Sequence, residues 1–288
     1  MLLGALEAGG TKMVCAVGDE TGTIYDRISI PTSTPEKNMP ELTAYFQQYD
    51  IKALGIGTFG PADLHPASPT YGCITTTPKP GWQNFNLMGE FQKALHIPIG
   101  FDTDVNAAVL GEAVFGCMKD ISTGIYITIG TGVGVGVMVN RQLLHGMLHP
   151  EGGHILLARN PADSYKGFCP YHENCLEGLA AGPAIEGRYG QKAVTLKDIP
   201  EVWELEAEYI AKALVNYILV LSPERIVLGG GVMHQEQLFP LIRQKTTAYL
   251  NGYLTTKQLE DMNNYIVPPS LNDNQGILGC LQLALDAL

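Results

Sequence analysis

Apolar and polar residues follow the same order in two widely separated stretches of the chain, residues 3–17 and residues 125–139. Each stretch has an apolar strand, a turn of glycine and threonine, a second apolar strand and then a polar reversal. Glycine turns that carry a hydroxyl let backbone N–H groups approach an oxyanion closely, because no Cβ stands in the way. One such hairpin is typical of an ordinary sheet, whereas one in each half of the chain predicts two lobes that grip one polyphosphate.

The remaining hydrophobic pattern predicts strands that alternate with helices. The first hairpin is expected as strands 2–6 and 13–17, and further strands are expected at residues 23–30, 52–57, 99–102 and 225–228. Helices are expected at residues 39–48, 87–95, 105–111, 201–220 and 276–288. The longest of these helices has the apolar spacing of an amphipathic helix. Hairpins followed by crossover helices, twice over, indicate an α/β chain with two similar lobes.

The boundary between the two lobes is expected within residues 116–123. The N-terminal lobe then comprises residues 1–118 together with the C-terminal helix 276–288, and the C-terminal lobe comprises residues 119–275. A chain of 288 residues is long enough for two domains of ordinary size.

A glycine motif at residues 55–60, Gly-Ile-Gly-Thr-Phe-Gly, matches the G-x-G-x-x-G fingerprint of dinucleotide-binding proteins. That fingerprint needs a helix to begin there, so that the helix N-terminus meets the pyrophosphate. Residues 61–66, Pro-Ala-Asp-Leu-His-Pro, predict a loop instead, which excludes a Rossmann site. The chain also has no Gly-Lys-Ser or Gly-Lys-Thr, which excludes a Walker P-loop.

Charge and composition narrow the classes of function. The formal net charge of −11 and the pI near 5.0 argue against a broad surface for nucleic acid or for an anionic membrane. The N-terminal residues lack the pattern of a secretory signal, and the most apolar stretch, residues 125–139, is too short to span a bilayer. We therefore expect a cytoplasmic protein whose six cysteines form no disulfide framework. Four of the cysteines are expected as small buried hydrophobes: Cys15, Cys73, Cys117 and Cys280.

Asp104 is the strongest candidate for a catalytic residue. It follows an apolar strand and stands where a helix is expected to begin. Asp is a favoured helix N-cap residue, which gives a purely structural alternative. A carboxylate at a strand end, in a chain with two phosphate-type hairpins, favours a general base that takes the proton of a substrate hydroxyl as its oxygen attacks a terminal phosphate.

A cluster of cysteines and histidines predicts a metal site. Cys169, His172 and Cys175 offer three ligands within seven residues, and His154 is the candidate for the fourth. Two thiolates and two imidazoles make a closed tetrahedral zinc site of the structural type. The alternative, unrelated cysteines with surface histidines, is disfavoured by this spacing. Four other histidines lack such partners and are expected at the surface: His65, His96, His145 and His234.

Two acidic residues and one loop are candidates for substrate contacts. Glu151 and Glu177 flank the expected metal loop, and a polyol substrate needs carboxylates that accept hydrogen bonds from several hydroxyls. Either residue could equally be a solvated loop residue. The Pro/Gly/Thr-rich segment at residues 72–82 is too long for a simple turn, and loops of this kind often line sites.

With these motifs in place, the chain resembles a sugar kinase of the ROK family, whose actin/hexokinase-like (ribonuclease H-like) lobes border an active-site cleft. Residues 7–12 resemble the first phosphate loop of the family, and residues 129–134 resemble the second. Residues 102–108 resemble the segment with the catalytic aspartate, and residues 149–154 with the Cys/His cluster resemble the sugar-and-zinc signature. Residues 229–233 resemble the adenosine-side loop.

The resemblance implies a role for each matching residue, with Asp104 as the general base. ATP, with Mg²⁺, would be bound by Gly9, Gly10, Thr11, Lys12, Gly130, Thr131, Gly132, Gly134, Gly229, Gly230, Gly231 and Val232. The sugar would be bound by Thr103, Asp104, Glu151, His154, Glu177, Gly60, Pro61, Lys79, Pro80 and Gly81. A structural Zn²⁺ would be held by His154, Cys169, His172 and Cys175. If His154 binds zinc, only its second ring nitrogen is left for the sugar.

Three departures from the family pattern carry information. Glu7 stands where the first phosphate loop usually begins with Asp, which affects how Mg²⁺ would be handled. Thr103 precedes Asp104 where glucokinases of the family typically have Asn, which removes an amide expected to bond a pyranose hydroxyl. His172 stands where many members have another cysteine. The Glu7 start, the loop that ends at Trp82 and this zinc loop all resemble bacterial fructokinases.

The resemblance therefore favours a homodimer that uses ATP to phosphorylate D-fructose on its 6-hydroxyl, releasing ADP. One alternative is a ROK kinase for mannose, glucose or an amino sugar. Another is a sugar-responsive ROK regulator, which would carry a DNA-binding helix-turn-helix before the first strand. Here the first strand is expected from Leu2, and the acidic charge agrees with a protein that binds neither nucleic acid nor membrane.

Overall fold

The computed structural model describes residues 1–288 and shows a mixed α/β chain. Its strands are β1 (Leu3–Ala8), β2 (Lys12–Gly18), β3 (Ile24–Pro31), β4 (Leu54–Thr58), β5 (Ile99–Thr103), β6 (Gly124–Ile129), β7 (Val133–Val139), β8 (Gln142–Leu143), β9 (Arg225–Gly229) and β10 (Ile266–Val267). Its α-helices are α1 (Pro35–Phe46), α2 (Leu87–Leu95), α3 (Asp104–Val114), α4 (Leu176–Ala180), α5 (Gly182–Tyr189), α6 (Pro200–Leu221), α7 (Leu238–Leu250), α8 (Lys257–Glu260), α9 (Met262–Tyr265) and α10 (Gln275–Asp286). Short 3-10 helices lie at Gly152–His154, Ala193–Leu196 and Gly231–His234.

The strands form two five-stranded sheets with the same connectivity. The first sheet has the order β3-β2-β1-β4-β5, with β1 antiparallel to β2 and parallel to β4. The second sheet, read from its β8 edge, has the order β8-β7-β6-β9-β10, with β6 parallel to β9. In each sheet the first three strands along the chain form a meander. The two later strands join it in parallel, and each follows a helical connection. The predicted repetition of one strand pattern in both halves of the chain is therefore observed in the fold.

The chain divides into two compact units. The first comprises Met1–Asp120, Gly136–Pro150 and Ser270–Leu288, and the second comprises Ile121–Val135 and Glu151–Pro269. The division falls within β7. Segment Gly136–Pro150, which the sequence pattern assigned to the C-terminal lobe, packs with the first unit because β7 lies against the start of α3.

The first sheet is buried on both faces by helices. One face packs with α1 and α2 around aromatic and aliphatic residues such as Phe46, Phe91 and Trp82. The other face packs with α3 and α10. Parallel strands covered on both faces read as continuous apolar runs, which is why β1 and β4 carry almost no polar side chains.

Helix α10 packs unusually close to its neighbours because glycines face it. A Cβ at Gly55 of β4 would stand 1.8 Å from the carbonyl oxygen of Cys280, and a Cβ at Gly279 would stand 1.7 Å from that of Ala107. No side chain fits at either position. Gly55 and Gly57 of the G-x-G-x-x-G match therefore let helices approach the sheet closely. No helix begins directly after the motif, which agrees with the prediction that it is not a Rossmann site.

Most predicted elements are observed, with ends that differ by a few residues. Helix α2 has the predicted bounds, and α6 extends the predicted 201–220 by one residue at each end. The pattern missed α4, α5, α7 and the short helices α8 and α9. None of the helices combines the length and the apolar character that crossing a bilayer requires.

Candidate active site and metal centre

The turn between β1 and β2 is the first predicted phosphate loop. The Gly9 N–H donates to the Lys12 carbonyl oxygen at 3.0 Å, which closes the turn. The Thr32 hydroxyl donates to the Gly9 carbonyl oxygen at 2.6 Å and ties the turn to the end of β3. A Cβ at Gly10 would stand 3.2 Å from Cε of Lys79. The structure thus brings two predicted site residues, Gly10 and Lys79, together in the first unit and places an ammonium beside the glycine turn.

Lys79 is held there by the loop predicted from residues 72–82. The Lys79 N–H donates to the hydroxyl of Thr77, and the buried Trp82 donates its ring N–H to the Ser33 carbonyl oxygen at 2.6 Å. Gly81 has a φ of +80° and lies against Pro35, at the start of α1. The loop is thereby fixed to α1, so that Lys79 and Pro80 are carried on an anchored segment.

The turn between β6 and β7 is the second predicted phosphate loop. The Gly130 N–H donates to the Gly132 carbonyl oxygen at 2.9 Å, and the Gly130 carbonyl accepts from the Gly182 N–H at the start of α5. A Cβ at Gly130 would stand 3.8 Å from the Gly231 nitrogen. The structure therefore places the predicted adenosine-side loop next to the second phosphate loop, within the second unit.

Asp104 is the first residue of α3, and Thr103 is its N-cap. The Thr103 hydroxyl accepts a hydrogen bond from the Asn106 N–H at 3.2 Å, and Asp104 Oδ1 accepts from the Val105 N–H at 2.9 Å. The structural alternative for Asp104, the helix N-cap, is therefore wrong, because Thr103 performs that role. Asp104 lies in the first helical turn, where the positive end of the helix dipole stabilises a carboxylate.

Asp102, two residues before Asp104, is a buried carboxylate that the sequence reading did not single out. Its Oδ1 accepts from the Thr103 N–H and from the Asn106 side-chain amide, both at 2.7 Å. Its Oδ2 lies 2.8 Å from Nε2 of His145. His145 is exposed, as predicted, but it has a partner that the sequence did not indicate, since the loop after β8 brings its ring onto Asp102.

The His145 imidazole is partly exposed, while the Asp102 side chain is only 3% exposed. The hydrogen bond from His145 to Asp102 raises the pKa of His145, against the opposing effect of partial burial. Four residues further on, His149 is buried, and its Nε2 accepts from the Ala62 N–H at 3.1 Å. A Cβ at Gly60 would stand 3.2 Å from Cε1 of this ring, so His149 packs on the Gly60–Pro61 segment.

The four predicted metal ligands come together. The ligand atoms of His154, Cys169, His172 and Cys175 all lie within 4.8 Å of one another. His154 Nδ1 is 3.7 Å from the sulfur of Cys169 and 3.7 Å from that of Cys175, and His172 Nδ1 is 3.8 Å from Cys169. Zinc–ligand bonds of ordinary length at tetrahedral angles would separate sulfur from nitrogen by about 3.6 Å. The four side chains therefore fit a tetrahedral cation.

Local structure positions these ligands. Cys175 is the N-cap of α4 and accepts from the Gly178 N–H at 3.2 Å, while His154 ends the 3-10 helix Gly152–His154. The Tyr217 hydroxyl donates to the Gly152 carbonyl oxygen at 2.7 Å and anchors that helix on α6.

Glu151 and Glu177, the candidate sugar contacts, lie close to each other in the second unit. Desolvation of its carboxyl, followed by the negative charge of Glu177, raises the pKa of Glu151 to about 7. Glu177 Oε2 accepts from the Val133 N–H at 3.0 Å, which ties Glu177 to the second glycine turn. Carboxyl groups with such raised pKa values are concentrated at functional sites.

The remaining cysteines match their predicted role with one exception. Cys15, Cys73 and Cys280 are buried, whereas Cys117 is only partly buried. Cys117 lies in the turn after α3, where its backbone N–H donates to the side chains of Glu112 and Ser270.

Comparison with known proteins places the chain in a family. The model of the ROK family matches residues 3–287. This chain belongs to the ROK family. A protein of Bacillus subtilis (strain 168), provisionally named a fructokinase, is 53% identical over all of this chain and 96% of its own length. A fructokinase of Pediococcus pentosaceus is 51% identical over all of this chain and 99% of its own.

A solved structure of the same family shows the fold. The crystal structure of the ROK hexokinase from Thermus thermophilus is similar to this ROK protein with a TM-score of 0.80, at 25% identity, over 99% of this chain and 98% of that chain. The predicted α/β, actin/hexokinase-like fold is thereby confirmed.

Proposed function

We propose that this ROK protein is an ATP-dependent fructokinase that converts D-fructose to fructose 6-phosphate. The observation that carries the proposal is full-length identity of more than half to proteins named as fructokinases. The resemblance to bacterial fructokinases in the segment that starts at Glu7, in the loop that ends at Trp82 and in the zinc loop with His172 supports the same substrate.

Asp104 would act as the general base. Its carboxylate would accept the proton of the fructose 6-hydroxyl while that oxygen attacks the terminal phosphorus of ATP in line with the leaving ADP. The Val105 N–H, which donates to Oδ1, fixes the orientation of the carboxylate. The first turn of α3 also places Asp104 at the positive end of the helix dipole.

The glycine turns would bind the nucleotide. Backbone N–H groups in Gly9–Lys12 and Gly130–Gly134 would hold phosphate oxygens, and Gly229–Val232 would lie against adenosine. Lys79, beside Gly10, adds a cation to the first turn. This cation compensates locally for the acidic net charge of the chain.

Mg²⁺ would bind together with ATP. Glu7, in β1 just before the first glycine turn, is the residue that would hold the Mg²⁺. Burial raises the pKa of Glu7, and the charge of Lys12 is the largest effect that opposes this rise. A carboxylate provides the oxygen ligand that Mg²⁺ prefers, either directly or through water. When bound, Mg²⁺ neutralises charge on the phosphate oxygens.

Glu151, Glu177 and the second ring nitrogen of His154 would orient the sugar, together with Thr103 and the Gly60–Pro61 and Lys79–Gly81 segments. Carboxylates accept hydrogen bonds from several hydroxyls of one sugar. Thr103 has a short hydroxyl side chain at the position where glucokinases of the family typically have the longer amide of Asn. This difference at the residue before the base fits a substrate other than a glucopyranose.

The experiment that tests the proposed substrate is a hexose panel with a coupled ADP assay. D-fructose, D-mannose, D-glucose and N-acetylated amino sugars are compared at equal concentrations with ATP and Mg²⁺. We expect kcat/KM for fructose to exceed that for every other sugar by at least about tenfold. A higher kcat/KM for any other hexose would contradict the fructose assignment and leave a ROK kinase of different specificity.

The tetrahedral cluster would hold a structural Zn²⁺. When bound, zinc would order the loop between the 3-10 helix Gly152–His154 and α4, a contribution on the order of 10 kcal/mol. We expect about one zinc ion per purified chain by elemental analysis. Cys169→Ser should lose most of this zinc and unfold at a lower temperature, whereas the matched variant Cys117→Ser should retain it. Wild-type protein without zinc would contradict this assignment.

A cytoplasmic homodimer completes the proposal, on the strength of the family resemblance. Sedimentation equilibrium should give twice the chain mass of 31.1 kDa. A monomeric mass at micromolar concentration would contradict the dimer and leave the catalytic proposal unaffected.

A further inference from the structure

Asp102 uses one carboxylate oxygen for backbone and amide hydrogen bonds and the other for His145. Oδ1 is filled by the Thr103 N–H and the Asn106 amide, and the oxygen of that same amide accepts from the Val137 N–H at 3.4 Å. Oδ2 is therefore the oxygen that accepts from His145 Nε2. Because three hydrogen bonds hold this carboxylate, it fixes the position of the His145 imidazole. A hydrogen bond at one ring nitrogen commonly determines what the other nitrogen can do.

The geometry at the end of β5 puts this imidazole on the side of Asp104. Successive residues of a strand point to opposite faces, so that residues two apart share a face. The backbone of Thr103, between the two aspartates, is extended, with φ of −76° and ψ of 157°. Asp102 and Asp104 are thus joined by one extended residue, which places the pair of His145 and Asp102 next to Asp104 where α3 begins.

The segment that carries His145 also contacts a predicted sugar loop. His149 accepts the Ala62 N–H and packs on Gly60. The five residues from His145 to His149 thus connect the aspartates at the start of α3 with the Gly60–Pro61 segment. All of these residues belong to the first unit.

His145 keeps one ring nitrogen for a ligand. Nε2 is used by Asp102, while the side chain remains 43% exposed. Nδ1 accepts a hydrogen bond when the ring is neutral and donates one when the ring is protonated. A sugar hydroxyl, which both donates and accepts, can pair with either form.

We propose that His145 is a sugar-binding residue, positioned by Asp102, whose Nδ1 forms a hydrogen bond with a hydroxyl of the hexose that Asp104 deprotonates. This inference rests on the proposed function. It adds a residue that no motif suggested, because the partner of His145 lies 43 positions away in the sequence.

Two substitutions separate sugar binding from simple support of Asp102. In His145→Gln, the amide nitrogen reaches the position of Nε2 and preserves the bond to Asp102, but no group replaces Nδ1. In His145→Asn, the amide lies near the position of Nδ1 and is too short to reach Asp102. We expect His145→Gln to raise KM for fructose about fivefold to tenfold, the effect of one neutral hydrogen bond, with KM for ATP and the thermal midpoint unchanged.

The conservative variant decides between the two roles. If His145 merely supports Asp102, His145→Gln would keep the wild-type KM for fructose and only His145→Asn would be impaired. That result would overturn the proposal. His96→Gln, at the exposed end of α2, is the matched control and should behave as wild type in every assay.

Failure of the fructose assignment would not by itself decide whether His145 binds the sugar. If the wild type prefers another hexose, the same variants are compared with that sugar, and the predicted rise in its KM stands. A second readout needs no variant: adding the preferred hexose to ¹⁵N-histidine-labelled wild type should shift the Nδ1 resonance of His145. An unshifted resonance at saturating sugar would contradict the proposal.

Discussion

At the scale of single residues, Asp163 is a carboxylate of the second unit that several donors hold in place. Arg188 Nε lies 3.2 Å from Oδ2, the Tyr209 hydroxyl donates to the same oxygen at 2.7 Å, and the Tyr165 N–H donates to Oδ1 at 3.0 Å. The Arg188 and Asp163 side chains are only 7% and 3% exposed. Breaking a buried pair leaves an uncompensated charge, which costs much more than loss of a surface pair.

We therefore predict that Asp163→Asn lowers the free energy of unfolding by about 3–5 kcal/mol. The matched control Glu90→Gln breaks the exposed ion pair between Glu90 and Lys93 and should change that free energy by less than about 1 kcal/mol. Urea denaturation of both variants measures the difference. Equal midpoints for the two variants would contradict the structural role of Asp163.

The pH dependence of this effect has a definite sign. Burial would raise the pKa of Asp163, but the hydrogen bonds from Tyr209 and Tyr165 and the charge of Arg188 outweigh it and lower that pKa. A depressed folded pKa contributes stability that is present above the unfolded value of about 3.9 and is lost as the pH falls through the folded value. The gap between wild type and Asp163→Asn should thus be constant near neutral pH and narrow below about pH 4.

The same scale shows which site residues the sequence reveals. The metal ligands were predicted because three of them lie within seven residues, and such spacing is a local property of the chain. The pair of His145 and Asp102 depends on how the loop after β8 folds onto the start of α3, so no local pattern marks it. The only hint in the sequence is the Asp-Thr-Asp spacing, which puts two carboxylates where β5 passes into α3.

At the scale of elements, helix α10 shows what the glycines of the first unit do. Its backbone touches β4 and α3 where Gly55 and Gly279 leave no side chain between them. Such contact is closer than helices and sheets with larger side chains allow. Any Cβ at these positions must displace backbone atoms, because no flexible side chain can move aside.

We predict that Gly279→Ala lowers the free energy of unfolding by at least about 1–3 kcal/mol, although alanine is the better helix former by about 1 kcal/mol. The cause is contact with the Ala107 carbonyl group. Asp286→Ala, at the exposed end of the same helix, is the control and should leave the thermal midpoint nearly unchanged. A more stable Gly279→Ala protein would show that the packing is looser than described.

Helices and strands with one clear hydrophobic period are predictable from the sequence, whereas short elements in segments with many turns are not. The long amphipathic α6 and the strand hairpins have clear periods. Helices α4 and α5 follow the metal loop closely, and their length of eight residues or fewer gives little periodicity. Helix α7 carries buried residues at helical spacing, Leu238, Ile242 and Thr246, so its signal was present and was missed.

At the scale of the whole molecule, the chain repeats one architecture. Each of its two sheets joins a meander to parallel strands in the same order, and each carries a glycine turn between its first two strands. The sequence revealed this repetition through two similar strand–turn–strand patterns. It did not reveal that residues 136–150 pack with the first unit, because that depends on contacts between β7 and α3.

We propose that this ROK protein phosphorylates fructose with Asp104 as the general base. The most direct test measures formation of fructose 6-phosphate and ADP by wild type and Asp104→Asn, together with calorimetric binding of fructose and ATP. We predict that the variant loses at least about 10²–10⁴-fold in kcat and still binds both substrates within a few-fold of wild type. The exposed control Asp120→Asn should retain full activity. A variant that keeps more than about a tenth of the wild-type kcat, or a wild type that forms no fructose 6-phosphate, would contradict the claim.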